Sequence, residues 1–153
     1  MNKKIILRMT VLAVVVICLV AFLPTKMAVS PAMQNLGKIT YKNTSVDKIQ
    51  VDLPFPDAVV GKDFSVMGKA RGWFFEASFP VEVLDKSGKV LALVTAHPKS
   101  GEDWMTADFV NFQADIKVPQ AYIGPATLVL KKDNPSGLPE NDASVSFPIT
   151  IEY

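Results

Sequence analysis

The chain has 153 residues, 49% hydrophobic and 20% charged, with a formal net charge of +1. That composition suits one globular domain plus an apolar segment and excludes a disordered chain. Residues 1–46 carry six Lys or Arg and no acid, so residues 47–153 carry the other ten bases and all fifteen acids, a balance of −5. A nucleic-acid binder places its basic face on the folded part, and here the folded part is acidic.

The chain opens MNKKIILRMTVLAVVVICLVAFLP. Lys3, Lys4 and Arg8 flank an apolar run that spans 19 residues from Ile5 to Leu23, interrupted only by Arg8 and Thr10. A helix of that length reaches about 28 Å, close to the ~30 Å of bilayer hydrocarbon, and the stem of Arg8 is long enough to snorkel. The basic-then-apolar order is that of an export signal. Phe22, Leu23, Pro24, Thr25 and Lys26 lack the small residues that a cleavage site needs. Residues 1–23 are therefore expected to be an uncleaved signal anchor, one transmembrane helix in the cytoplasmic membrane with its amino terminus inside. A cleaved leader, and a secreted protein, is the alternative. Cys18 follows Val15, Val16 and Ile17 in mid-run, without the context of a lipidated cysteine. Residues 24–45 carry Pro, Ser, Gly, Asn and Lys without apolar period and read as a flexible tether, spanning about 25–30 Å.

From Val46 the pattern becomes period two. Ile49, Val51 and Leu53 alternate with Gln50 and Asp52; Phe64, Val66, Gly68 and Ala70 alternate with Ser65, Met67 and Lys69. Val81 and Val83 precede a Lys86–Lys89 hairpin turn into VLALVTA. Val110, Phe112, Ala114, Ile116 and Val118 form the next run, then Leu128 and Leu130, then Val145, Phe147, Ile149 and Ile151. Seven such runs separated by Gly, Pro, Asn and Asp predict an all-β fold over residues 46–153, an immunoglobulin-like antiparallel β-sandwich of about seven strands. Pro80 and Pro148 lack an N–H, so their strands are expected at an edge or bulged.

Two stretches invite a chemical role. In LKKDNPSGLPENDASVSFP, five oxygen-bearing side chains fall between two apolar runs. Asn134–Pro135–Ser136–Gly137 has β-turn composition, and no calcium-loop spacing is present, so a structural turn is expected, with a weak cation site or a protein-contact loop as alternatives. In ARGWFFEASFPVE, consecutive Trp73, Phe74 and Phe75 must face both ways from a strand. They are either core or an exposed platform that Trp104 extends, with Arg71 and Glu76 placed to form an ion pair across it.

Enzyme signatures are sparse. Ser45–Val46–Asp47–Lys48 matches S-x-x-K without its companion elements. No G-x-S-x-G or Gly-rich phosphate loop exists. Glu102 and Asp103 are adjacent and read as solvated, and the single histidine, His97, precedes a Pro–Lys–Ser–Gly loop. With one Cys and one His, thiolate zinc sites and triads lack material. No catalytic residue, cofactor site or metal site is assigned, and the chain is expected not to be an enzyme.

The elements VMGKARGWFFEASFPVEVLDKSGKVLA, DWMTADFVNFQADI and LVLKKDNPSGLPENDASVSFPI closely resemble the GerMN-associated (Gmad-type) immunoglobulin-like domain of bacterial spore-germination and envelope proteins. The resemblance runs from about Val46 to Ile151. It places Gly68, Ala70, Arg71, Phe75, Glu76, Phe79, Trp104, Phe109, Phe112, Asn134, Pro135 and Gly137 at signature positions. It implies an extracytoplasmic sandwich without known catalysis, a link to sporulation or germination, and a role in protein or cell-envelope interaction. The chain departs from the family pattern in carrying one module beside an anchor and a tether, with no GerMN domain. The expected partners are the membrane, through the N-terminal helix, and an unknown protein or envelope polymer, with no nucleic acid. The candidate interaction residues are Arg71, Trp73, Phe74, Phe75, Glu76, Trp104, Asn134 and Gly137. A carbohydrate-binding module that uses exposed aromatics is the alternative.

Overall fold

A computed structural model describes residues 38–153; the expected anchor at 1–23 and most of the expected tether lie outside the described residues. Among the described residues, no helix is long and apolar enough to cross a membrane. The strands in chain order are β1 (Thr40–Lys42), β2 (Ile49–Leu53), β3 (Val59–Val60), β4 (Asp63–Ala70), β5 (Phe79–Asp85), β6 (Val90–Pro98), β7 (Val110–Lys117), β8 (Gly124–Lys131) and β9 (Ser144–Ile151), with a 3-10 turn at Pro139–Asn141. β1 falls inside the stretch read as a tether: Tyr41 stands opposite Val145, so the folded part includes Thr40 and does not start at Val46.

The hydrogen-bonded order is β1-β9-β8-β5-β6-β7-β4-β2, with β3 added in parallel to β9. The path curls on itself at β6. Its body pairs with β5, while His97 and Pro98 at its end pair with Gln113 and Phe112 of β7. Two layers thus face each other as an immunoglobulin-like half-barrel. The period-two pattern is realised in the burial of β7, where Val110, Phe112, Ala114 and Ile116 point inward and Asn111, Gln113, Asp115 and Lys117 do not. The inward rows of β4, β5, β8 and β9 join them in one core around Val66, Phe79, Val81, Leu128, Phe147 and Ile149.

Register puts strand ends together. Ala70 pairs with Val110 and Ile49, and Lys131 pairs with Ser144. The connections 43–48, 71–78, 99–109 and 132–143 therefore leave one end of the domain, called here the Trp73 end. Tyr153 and the connections 54–58, 86–89 and 118–123 lie at the other end.

The two prolines behave differently from expectation, because neither lies on an edge strand. Pro148 pairs with Thr127 of β8, and its carbonyl accepts the Asp57 amide at 2.7 Å on the opposite side. Its missing N–H faces that same side, in the gap where β1 has ended at Ser146 and β3 has not begun at Thr150. Pro80 lies one residue before the β5–β8 pairing begins at Val81–Leu130.

Gly68 sits on β4 beneath the Phe112 ring. A Cβ there would lie 2.1 Å from the Gln50 carbonyl oxygen of β2 and 2.8 Å from Phe112 Cζ. Gly68→Ala must therefore push β2 off β4 or tilt the ring, and overpacking of this kind costs about 1–3 kcal/mol or more. A clear fall in Tm, followed by circular dichroism, is expected; an unchanged Tm would contradict the close approach.

The β5–β6 hairpin turns on Asp85, whose Oδ1 accepts from the Ser87 amide (2.7 Å), the Ser87 hydroxyl (2.6 Å) and the Lys89 amide (3.0 Å). The Ser87 hydroxyl bond, and then the Lys89 amide, hold this carboxyl below the usual carboxylate range. Because the folded value is the lower one, the stabilisation is complete above the unfolded-chain value and is lost as pH falls through the folded value. Asp85→Asn should thus be less stable than the parent near neutral pH, with the gap closing in acid. Denaturant titrations across a pH series test this, and a gap independent of pH would contradict it.

Candidate functional site

The β4–β5 connection sorts the three consecutive aromatics by depth. Gly72, at φ +58°, turns the chain so that Trp73 enters the core, 1% exposed. Its ring meets Phe79 edge-on at 6.3 Å between centroids; Phe74, half-buried, packs on Phe79 at 5.2 Å, and Phe79 meets Phe112 at 5.0 Å. Phe75 is left 42% exposed. Reciprocal backbone bonds of 3.0 Å between Phe75 and Ser78 then close a two-residue hairpin. Its central residues, Glu76 (φ 48°) and Ala77 (φ 57°), are both left-handed, as a type I′ turn requires. Neither is Gly or Asn, so the turn is strained and relies on its surroundings. The Ser78 hydroxyl donates to the Phe75 carbonyl at 3.2 Å, and His97 Nδ1 donates to the Ala77 carbonyl at 3.2 Å.

Arg71 reaches the other way. Its Nε donates to the Asp47 carbonyl at 2.6 Å, its amide to the Lys48 carbonyl at 2.9 Å, and its guanidinium carbon lies 4.9 Å from the Phe109 ring centroid. Lys69 Nζ lies 5.3 Å from the same centroid. The expected Arg71–Glu76 pair does not form. Among the described residues the ion pairs are Lys38–Asp57, Lys117–Asp63 at 3.8 Å and Lys131–Glu82 at 2.7 Å. The tight turn carries Glu76 outward, whereas the Phe109 face and the Asp47 carbonyl satisfy the arginine on the opposite side.

Trp104 is half-exposed in the 99–109 connection, beside the exposed Met105. Glu102 clamps that connection to β7, accepting from the Asn111 amide (2.6 Å) and side chain (2.7 Å), and Asp103 accepts the Met105 amide at 2.9 Å. Both carboxylates are committed to holding the loop.

The 132–143 connection is a bonded turn. Gly137, at φ +66°, donates to the Asn134 carbonyl at 3.1 Å. Asn134 Nδ2 donates to the Leu138 carbonyl (2.9 Å) and to Asp142 Oδ1 (2.8 Å), while its Oδ1 accepts the Ser136 hydroxyl (2.6 Å). Asn141 Nδ2 donates to Ser136 Oγ at 2.9 Å. These side chains satisfy one another within the loop, as a turn requires. Among the described residues, no three His, Cys, Asp or Glu side chains are grouped so as to hold a metal.

The fold thus brings Arg71, Trp73, Phe74, Phe75, Glu76, Trp104, Asn134 and Gly137 to one end. It does not assemble them into an aromatic platform, because the Trp73 ring is enclosed and offers no face to a sugar. Sequence reasoning missed another set at that end. Two clefts of about 350 and 230 Å³ share Lys132, Asp142 and Ala143 in their walls, and add Lys42 to the larger and Thr44, Lys48 and Trp73 to the smaller. The only linear signal for them is the Lys131–Lys132 pair at the end of β8, which without register says nothing of its neighbours.

Asn134→Ala removes the hub of the 132–143 turn. A loss of about 1–2 kcal/mol is expected, with faster amide exchange at Gly137 and Leu138 and little change in the β7 amides. A chelator should leave the Tm of the parent unchanged; a Tm lowered by chelation would make the loop a cation site instead.

The family model for the immunoglobulin-like domain of bacterial spore germination matches residues 48–137. No curated protein matches the chain, and no solved structure does. The matched span covers more than half of the chain, runs from the start of β2 to the Asn134 turn, and includes the Gly68–Phe112 contact and the Trp73 connection. The chain belongs to the family of the immunoglobulin-like domain of bacterial spore germination.

Proposed function

We propose that this chain is a membrane-tethered module on the outer side of a bacterial cytoplasmic membrane that works by contact, holding a protein or envelope polymer at the Trp73 end. The observation that carries the proposal is the convergence of four connections at that end while the chain enters from the other half. Lys38 pairs with Asp57, whose amide bonds Pro148 beyond the middle of β9. Phe75, Met105 and Leu138 are all exposed at the Trp73 end, while Lys38 lies toward the other half of the domain. The leader sequence supports the membrane location, and the family supports a setting in sporulation or germination.

Contact without catalysis is supported by how the polar groups are used. His97 is exposed and lines neither cleft, and Glu102 and Asp103 accept bonds from their own loop and β7. A general base needs a free lone pair facing a cleft, with a partner to orient it.

A photo-crosslinking side chain placed at Phe75 or Met105 should yield discrete adducts in intact cells. The same group at Leu93, exposed on the outer face of β6, should yield none. Adducts from Leu93 alone, or a domain shielded from protease added to protoplasts, would overturn the proposal.

A further inference from the structure

We infer that the stretch just before Lys38 folds back over an apolar edge of Leu53, Phe55 and Val59, with Met33 and Leu36 as its contacts. The inference concerns the half of the domain away from the Trp73 end and does not rest on docking there. Burial alternates along this connection: Pro54, Pro56 and Ala58 are buried, while Leu53, Phe55, Asp57 and Val59 are exposed. The three apolar side chains among the latter are 49%, 50% and 62% exposed. Val60 packs on the core and Val59 pairs with Thr150 of β9, which leaves the Val59 side chain on the outer face. One exposed apolar residue is ordinary, but three on one short connection call for a cover.

The first described residue lies at this edge. Lys38 pairs with Asp57, between Phe55 and Val59 in the sequence, and Ile39 is already packed against the core. Extended chain spans at most ~3.6 Å per residue, so Leu36 stays within about 7 Å of Lys38 and Met33 within about 18 Å. Both can therefore reach the side chains on either side of Asp57.

The residues before Lys38 also suit the edge chemically. Residues 24–37 offer Met27, Val29, Met33 and Leu36, with Lys26 and no acid. A thioether fills irregular apolar surface and favours contact with an aromatic ring, here that of Phe55. Charge points the same way, because Asp52 and Asp57 are exposed beside the apolar side chains. A second copy seated on this edge would bring a matching pair of aspartates, and an anionic bilayer surface would be repelled by them. An acid-free segment of the same chain meets neither cost, and its attachment at Lys38 gives it a high effective concentration. Docking of this kind takes residues 33–37 out of the tether and fixes the direction from which the chain enters the domain.

The test uses the full chain, in lipid nanodiscs and in detergent micelles, with Cys18→Ser to remove its one native thiol. Val59→Cys supplies a reporter, and its labelling by a water-soluble maleimide is timed. Met33→Ser combined with Leu36→Ser should speed that labelling by about fivefold. The same pair should leave unchanged the labelling of a Leu93→Cys reporter, on the outer face of β6. Leu53→Cys serves as the reporter where Val59→Cys fails to fold. Equal labelling with and without Met33 and Leu36 overturns the inference. Protection that rises with protein concentration also overturns it, by assigning the edge to a second copy. Protection present in nanodiscs and lost in micelles overturns it by assigning the edge to the lipid surface. The Phe75 crosslinks are indifferent to all three results, so the contact reading stands or falls separately.

Discussion

At position 68 three groups compete for one volume: the β4 backbone, the Gln50 carbonyl of β2 and the ring of Phe112 from β7. Only hydrogen fits there, and the consequences run outward. With no Cβ in the way, Phe112 lies against β4 and presents its edge region to Phe79, which carries Trp73 and Phe74 on its other contacts. The aromatic column therefore extends from the middle of the core to the loop end. Interiors packed at crystal-like density transmit displacement instead of absorbing it. The position of the 71–78 connection is thus set inside the sheet, several residues from the surface where it acts.

The connections themselves are fixed crosswise, each by a neighbour. Arg71 binds the 43–48 connection and stacks on Phe109 of the 99–109 connection; His97 of β6 holds the strained Glu76–Ala77 turn; Asn43 holds Asp142. Side chains and backbone so fixed have already lost the freedom that binding would otherwise remove, so a partner meets a surface with a smaller ordering cost. The cation on Phe109 also shows why a carboxylate partner for Arg71 is unnecessary. An aromatic face and a carbonyl oxygen offset much of the desolvation that half-burial imposes on a guanidinium.

The layers of this fold are legible in the sequence because period two is a local property. One residue of slip would expose a whole inward row such as Val110, Phe112, Ala114 and Ile116, so pattern and register are tied together. β1 and β3 escape for the same reason. Three residues and two residues carry no period, and both strands exist only because β9 offers an edge for them to bond. The turn at Asn134 is legible from its residue types, since Asn, Pro and Gly impose it locally. What the linear pattern cannot carry is which strand ends meet. Thr44, Trp73 and Lys132 line one cleft although about thirty and then sixty residues separate them along the chain, and only the pairing of β2 with β4 and of β1 and β8 with β9 brings them together. The Arg71–Glu76 pair, suggested by closeness in sequence, does not form: Gly72 turns the chain after Arg71, and Glu76 lies at the centre of the tight 75–78 turn.

The distribution of unmet hydrogen bonds is the remaining asymmetry. Among the described residues three buried side-chain polar atoms lack partners: Thr44 Oγ1, Trp73 Nε1 and Lys62 Nζ. Each such group costs about 1–3 kcal/mol when its desolvation is uncompensated, and more for a charge. Lys62, at the opposite end beside β3, is the isolated case. The other two belong to residues of the 43–48 and 71–78 connections, in the part of the domain where the neighbouring loops are bonded to one another, and both atoms are closed off from solvent. A fold that satisfies Asn134, Ser136, Asn141 and Glu102 within a few residues does not lack the means to satisfy an indole N–H beside them. An indole N–H left unpaired in this way is a desolvation cost set against the burial of the Trp73 ring on Phe79.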